Sequence, residues 1–154
     1  EQEKGNKTVL QDRKRRTLLQ QQEVPEEDVS FQPDLDLLGK GGFGSVELVD
    51  YRGHVAAAKI VDLKGLGSNK LGVERLRRIF AKELETLVLL RSEHVVDVYG
   101  AMTKGKERLV LLLEFMEGGD LRTMLSRDTK PLESDLCRRL AMDISRGMEY
   151  LHSK

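Results

Sequence analysis

The segment GKGGFGSVELVDY constrains this chain most, because the glycines at 39, 41 and 44 lead into residues that alternate with a period of two. A GxGxxG run that enters a helix builds a dinucleotide-binding turn, with the pyrophosphate on the helix N-terminus. Here Val46, Leu48 and Asp50 fall on one side of an extended strand, as do Leu35 and Leu37 before the loop, so the loop joins two antiparallel strands. Glycines at such a bend let backbone N–H groups approach phosphate oxygens without a Cβ in the way. Three glycines among fourteen also reach this spacing by chance or in a plain hairpin, so the context has to decide. Phe43 at the tip either caps the phosphates from solvent or is an exposed hairpin aromatic. The GxxxxGK[ST] pattern is absent, which argues against a P-loop NTPase.

A second turn, Tyr51-Arg52-Gly53-His54, leads to a third strand in which Val55, Ala57, Lys59 and Val61 share a face, so the three strands form a meander. Lys59 is out of place in VAAAKIV, because an unpaired ammonium among apolar side chains is costly. It calls for a carboxylate or a bound anion. After a glycine-containing loop over 62–72, a helix over 74–91 supplies the carboxylate. Leu76, Phe80, Leu87 and Leu90 form its apolar stripe, and Glu83 sits within that stripe. Glu85 lies opposite, with Arg78 and Lys82. An inward Lys59 and an inward Glu83 explain each other, and the pair would hold the lysine toward phosphates at the loop. A purely structural ion pair is the alternative.

Two further strands are predicted over 95–102 and 109–115, split by the turn Lys104-Gly105-Lys106, and then two helices over 120–126 and 133–152. Pro131 precedes the last helix, and Glu133, Ser134 and Asp135 place acidic and capping groups at its positive end. Residues 1–33 are expected to be a polar extension: a short helix over 8–22, then a linker marked by Pro25, the acidic run Glu26-Glu27-Asp28, and Pro33. The cluster Arg13-Lys14-Arg15-Arg16 fits an import or docking patch, but a solvated helix face explains it at no extra cost, so no function is assigned to it. Lys plus Arg and Asp plus Glu each number 26, so no bulk field draws nucleic acid or a membrane surface. With a lone Cys137, no signal pattern and no long apolar run, the expected location is the cytoplasm, with the nucleus as alternative.

Taken in order, Leu38-Gly39-Lys40-Gly41-Gly42-Phe43-Gly44-Ser45-Val46, Ala57-Ala58-Lys59 and the Glu83 of FAKELETL resemble the opening of the protein-kinase signature set. The resemblance continues through LRSEHVVDVYGA and LVLLLEFMEGGDL to LAMDISRGMEYLHSK, so it covers about 35 to 154. It implies an α+β fold over 34–154: a five-stranded antiparallel sheet with one long helix, then a hinge and the first two helices of a second lobe. It also implies that ATP is bound with Mg2+ and that a protein is the substrate. Under it Gly39, Gly41 and Gly44 would cover the phosphates, with Leu38, Lys40, Gly42, Phe43 and Ser45 completing the loop. Val46 and Ala57 would sandwich the adenine, and Lys59, paired with Glu83, would contact the α- and β-phosphates. Leu113 takes the gatekeeper position, Glu114 and Met116 would offer hinge backbone groups, and Asp120 would reach the ribose. Leu87 and Val98 fall where the family stacks apolar side chains. YRGHVAAAKI and DISRGMEYLHS look most like the tyrosine-kinase-like group of serine/threonine kinases, whereas MEGGDL is shared with dual-specificity kinases. A Ser/Thr acceptor is expected.

HRDLxxxN and DFG occur nowhere in these residues, and His152 is not the histidine of the first motif. The groups that accept the proton and hold the metal are therefore missing, and the chain by itself is expected to be inactive. Leu136, Leu140, Ile144, Met148 and Leu151, flanked by Cys137 and Ala141, give the last helix a broad apolar face that lacks its expected cover. Both features point to a piece of a longer kinase. The alternative is a nucleotide-binding or scaffolding, pseudokinase-like fragment. A Rossmann oxidoreductase fails on the strand that follows the glycine loop.

Overall fold

The alternation around the glycine loop folds as a meander. In the structure, a computed structural model that describes residues 17, 19–31, 37–41, 44–66, 69–127 and 132–154, six strands form one antiparallel sheet. They are β1 (Val29–Phe31), β2 (Leu37–Gly41), β3 (Gly44–Tyr51), β4 (His54–Asp62), β5 (Val98–Met102) and β6 (Arg108–Glu114). The order is β1-β3-β4-β6-β5, and β2 also pairs with β3. Arg52 and Gly53 both take positive φ, 54° and 82°, so the β3–β4 hairpin closes with the left-handed turn that suits strand twist. Gly53 N–H donates to Asp50 Oδ1 at 2.9 Å and completes it.

The helices are α1 (Lys70–Val88), α2 (Leu121–Arg127) and α3 (Ser134–His152). Helix α1 begins four residues before the expected 74, inside the supposed loop. The reason is Asn69, whose side chain accepts the Gly72 N–H at 3.0 Å and satisfies one of the free donors of the first turn. At α3 the expected side-chain cap is not made: Glu133 occupies the cap position without a side-chain hydrogen bond, and only its carbonyl accepts, from Cys137 N–H.

Both faces of the sheet are covered. On one, Phe80 and Leu84 of α1 pack over Val61, Leu109 and Leu111, and each fully buried side chain contributes roughly 1.5–3 kcal/mol by leaving water. Leu84 is absent from the expected stripe, yet it is fully enclosed. On the other face, Ala56, Ala58, Ile60, Val110 and Leu112 meet Val24 and Val29.

That second face corrects the linker reading over residues 25–31, because Val24 and Val29 are buried and Val29–Phe31 is an edge strand paired with residues 49–51 of β3, whereas Pro33 lies outside the described residues. Pro25 and the acidic run do break the chain, but into a 3-10 turn, Glu26–Asp28, that carries it across the sheet. Arg52 bonds Asp28 at 2.7 and 2.9 Å, and Arg108 lies over the Phe31 ring at 3.8 Å, fastening the crossing at both sides. Of the helix expected over 8–22, residues 19–21 are helical, while residues 8–16, with the Arg13–Arg16 cluster, lie outside the described residues. Below the sheet, α3 docks through Tyr150, whose hydroxyl accepts Arg91 N–H at 2.7 Å, and through Gly147, packed against the His94 carbonyl.

Candidate functional site

Strand register gathers the site. Gly39 pairs with Val46, Val46 with Lys59, and Lys59 with Leu111. Two residues along, Leu48 pairs with Ala57, Ala57 with Leu113, and Leu113 with Val98. Directly paired residues share a face. Gly39, Val46, Ala57, Lys59 and Leu113 therefore line the α1 side of the sheet together, with Leu87 and Val98 packed into the core behind them. Leu111, 2% exposed beneath Lys59, belongs to this set and is missed by the sequence argument. Its signal is its position two residues before Leu113 on the same strand.

Lys59 Nζ lies 2.5 Å from Glu83 Oε1, so the predicted pair forms. The two side chains remain 38% and 39% exposed, however, rather than enclosed. An ion pair this open adds about 0–1 kcal/mol to stability. It holds a cation in a defined place, accessible to solvent, and that arrangement suits an anion.

The glycines divide in role. At Gly44 a Cβ would sit 1.7 Å from the Ile60 carbonyl oxygen, and φ is 142°, so glycine is required there for β3 to lie against β4. At Gly39 a Cβ would meet nothing within 4 Å, which leaves open space on the site face. Gly41 pairs with Gly44, and Leu38 is the extra residue at a register shift in β2. Gly42 and Phe43 lie outside the described residues, and with them the expected cap over the phosphates. Lys40 and Ser45 pair with each other on the opposite face and do not join the site. There they line a concavity of about 700 Å³ in which Lys40, Lys64, Lys106 and Arg108 are matched by Glu26, Glu47, Asp62 and Glu107. That concavity lies across the sheet from Lys59, and its balanced charge gives an anion no particular hold.

At the end of β6, Glu114 N–H donates to Asp97 O at 2.9 Å, so this backbone donor holds the preceding loop. Met116 is 46% exposed, and its carbonyl accepts Gly119 N–H at 3.0 Å in the turn that follows. Asp120 caps α2: Oδ1 accepts Thr123 N–H at 2.8 Å and Oδ2 accepts the Thr123 hydroxyl at 2.7 Å. These bonds, the hydroxyl first, hold its carboxyl below the ordinary aspartate range. An aspartate three residues before a threonine at a helix start is a legible capping signal.

Among the described residues, no group of three or more His, Cys, Asp or Glu side chains is gathered as a metal site. The groups that the resemblance assigns to magnesium belong to the DFG and HRDLxxxN motifs, which these residues do not contain. Nor is any described helix long and apolar enough to cross a membrane.

A sequence model of the family described as protein tyrosine and serine/threonine kinase matches residues 34–154. The chain is 35% identical over 118 residues to serine/threonine-protein kinase VIK of Arabidopsis thaliana, a match that covers 77% of this chain and 25% of that protein. Probable serine/threonine-protein kinase kinX of Dictyostelium discoideum is 31% identical over 128 residues, with 83% and 11% covered. Tyrosine-protein kinase JAK3 of Rattus norvegicus is 32% identical over 127 residues, with 78% and 11% covered. The chain spans a quarter or less of each of these three relatives.

Proposed function

The chain belongs to the protein tyrosine and serine/threonine kinase family, and from that premise we propose that residues 34–154 are the ATP-binding part of a kinase acting on protein Ser/Thr hydroxyls. The observation that carries the reading is the Lys59–Glu83 pair, open to solvent and set on one face with Gly39, Val46, Ala57 and Leu113. An ammonium oriented by a carboxylate, beside a patch of small apolar side chains, offers charge to phosphates and a flat wall to a purine. In this reading Glu114 and Met116 present backbone groups to the adenine edge, Asp120 approaches the ribose, and the glycine loop lies over the phosphates. The names of VIK and kinX favour a Ser/Thr acceptor, while that of JAK3 keeps tyrosine in view as an outcome of assay.

The 154 residues contain neither HRD nor DFG, so on their own they bind ATP without transferring phosphate. Calorimetry with ATP and magnesium tests the first half. Lys59→Met is expected to weaken affinity by roughly 10- to 100-fold, the loss of about 1.5–3 kcal/mol from charged hydrogen bonds. Its melting temperature should barely move, because the pair is exposed. An unchanged affinity would remove Lys59 from the site. Sustained phosphate incorporation into a protein substrate by these residues alone would overturn the second half. Binding without transfer in a longer chain that contains HRD would favour the scaffolding alternative.

A further inference from the structure

Residues 19–24 precede the stretch matched by the kinase family, yet they are built into the lobe that carries Lys59. They run along the otherwise free edge of β5, where Ala101 N–H donates to Gln22 O and Val24 N–H donates to Ala101 O, each at 2.8 Å. Gly100 permits this approach, since a Cβ there would fall 2.5 Å from Val24 Cγ2 and 2.8 Å from Gln22 O. Leu19 packs against the core under α1.

Glu23 then reaches past the end of β5 and holds Thr103 with both carboxylate oxygens. Oε1 accepts Thr103 N–H at 3.1 Å, and Oε2 accepts its hydroxyl at 2.5 Å. The same turn is gripped from the other side by α1, because Arg77 donates to Thr103 O at 2.5 Å and to Gly105 O at 2.6 Å. Thr103 is thus clasped between a carboxylate from the N-terminal segment and a guanidinium from the helix that bears Glu83.

The Lys59–Glu83 contact is too exposed to hold a 19-residue helix in position by itself. Where Glu83 stands is therefore decided by what seats α1. Besides its apolar stripe, α1 is tied to residues 103–105 by the two half-buried Arg77 hydrogen bonds, six residues or about 9 Å along the axis from Glu83, and that turn is itself held by the two half-buried hydrogen bonds to Glu23.

We propose that Glu23 and Arg77 are positioning residues: the segment 19–24 braces the 103–105 turn, the turn seats α1, and α1 brings Glu83 to Lys59. The effect on nucleotide rests on the ATP-site reading above; the brace itself does not. Amide hydrogen exchange on the full chain tests it. In Glu23→Ala, amides of residues 77–87 should exchange about tenfold faster while those of β4 and β6 keep their protection. Glu23→Gln, which retains an acceptor for Thr103 N–H, should fall between and covers the case in which the alanine variant does not fold. Arg52→Ala, which breaks the tie to Asp28 at the far end of the crossing, should leave α1 unchanged. Equal acceleration throughout the sheet, or none at α1, would overturn the brace. Affinity for ATP with magnesium should weaken roughly three- to tenfold in Glu23→Ala. If the unaltered chain binds no ATP, the ATP-site reading fails while the exchange result still decides the brace.

Discussion

Gly39 and Gly44 stand in one motif and answer to different forces. Gly44→Ala drives a Cβ into the Ile60 carbonyl, so β3 and β4 must part, at a cost of about 2 kcal/mol or more in the unfolding free energy, seen as a lower urea midpoint. Gly39→Ala has room and should leave stability nearly unchanged; under the proposed ATP-site reading its effect is expected in the calorimetric affinity for ATP instead. Asp120 supplies a pH dependence of known sign. Its folded carboxyl titrates below the ordinary value, so the stability it lends is present above that value and is lost as pH falls through the lower, folded one. The start of α2 should therefore loosen below about pH 4, seen as faster amide exchange at Thr123, and Asp120→Asn should remove the dependence. The Lys59–Glu83 pair is legible in the chain because each residue contradicts its own neighbourhood, a cation among Val and Ala and a carboxylate in an apolar stripe. Its exposure is not legible, since that depends on how α1 and the sheet pack around the pair in three dimensions.

The strands and helices around the site follow from periodicity, and their ends follow from caps. Asn69 moves the start of α1 forward, and a cap partner two or three residues away is readable once sought. The crossing over 24–31 is hidden for a different reason. Its only strand has three residues, too few to show a period, and its partners lie far along the chain: Glu23 meets Thr103 eighty residues away. Pro25 and Glu26-Glu27-Asp28 break a helix honestly but say nothing of what the broken chain covers. If the crossing is part of the core, Val29→Ala should cost roughly 2 kcal/mol in chemical unfolding. A loose tether would show no change.

On the scale of the molecule, each face of the sheet buries an apolar cluster, but α3 leaves Met142, Ile144 and Met148 44%, 55% and 45% exposed. With zero formal net charge there is little repulsion to keep copies apart. The 154-residue chain should self-associate with rising concentration in sedimentation velocity, and Ile144→Glu should shift it toward monomer without lowering the melting temperature. The clasp at Thr103 also imposes an order of events during synthesis. Glu23 leaves the ribosome eighty residues before its partner, a wait of roughly 4–16 s at ordinary elongation rates. Through that interval the apolar side of the nascent hairpin is bare, and Glu23 is secured only after the strands it borders have been made.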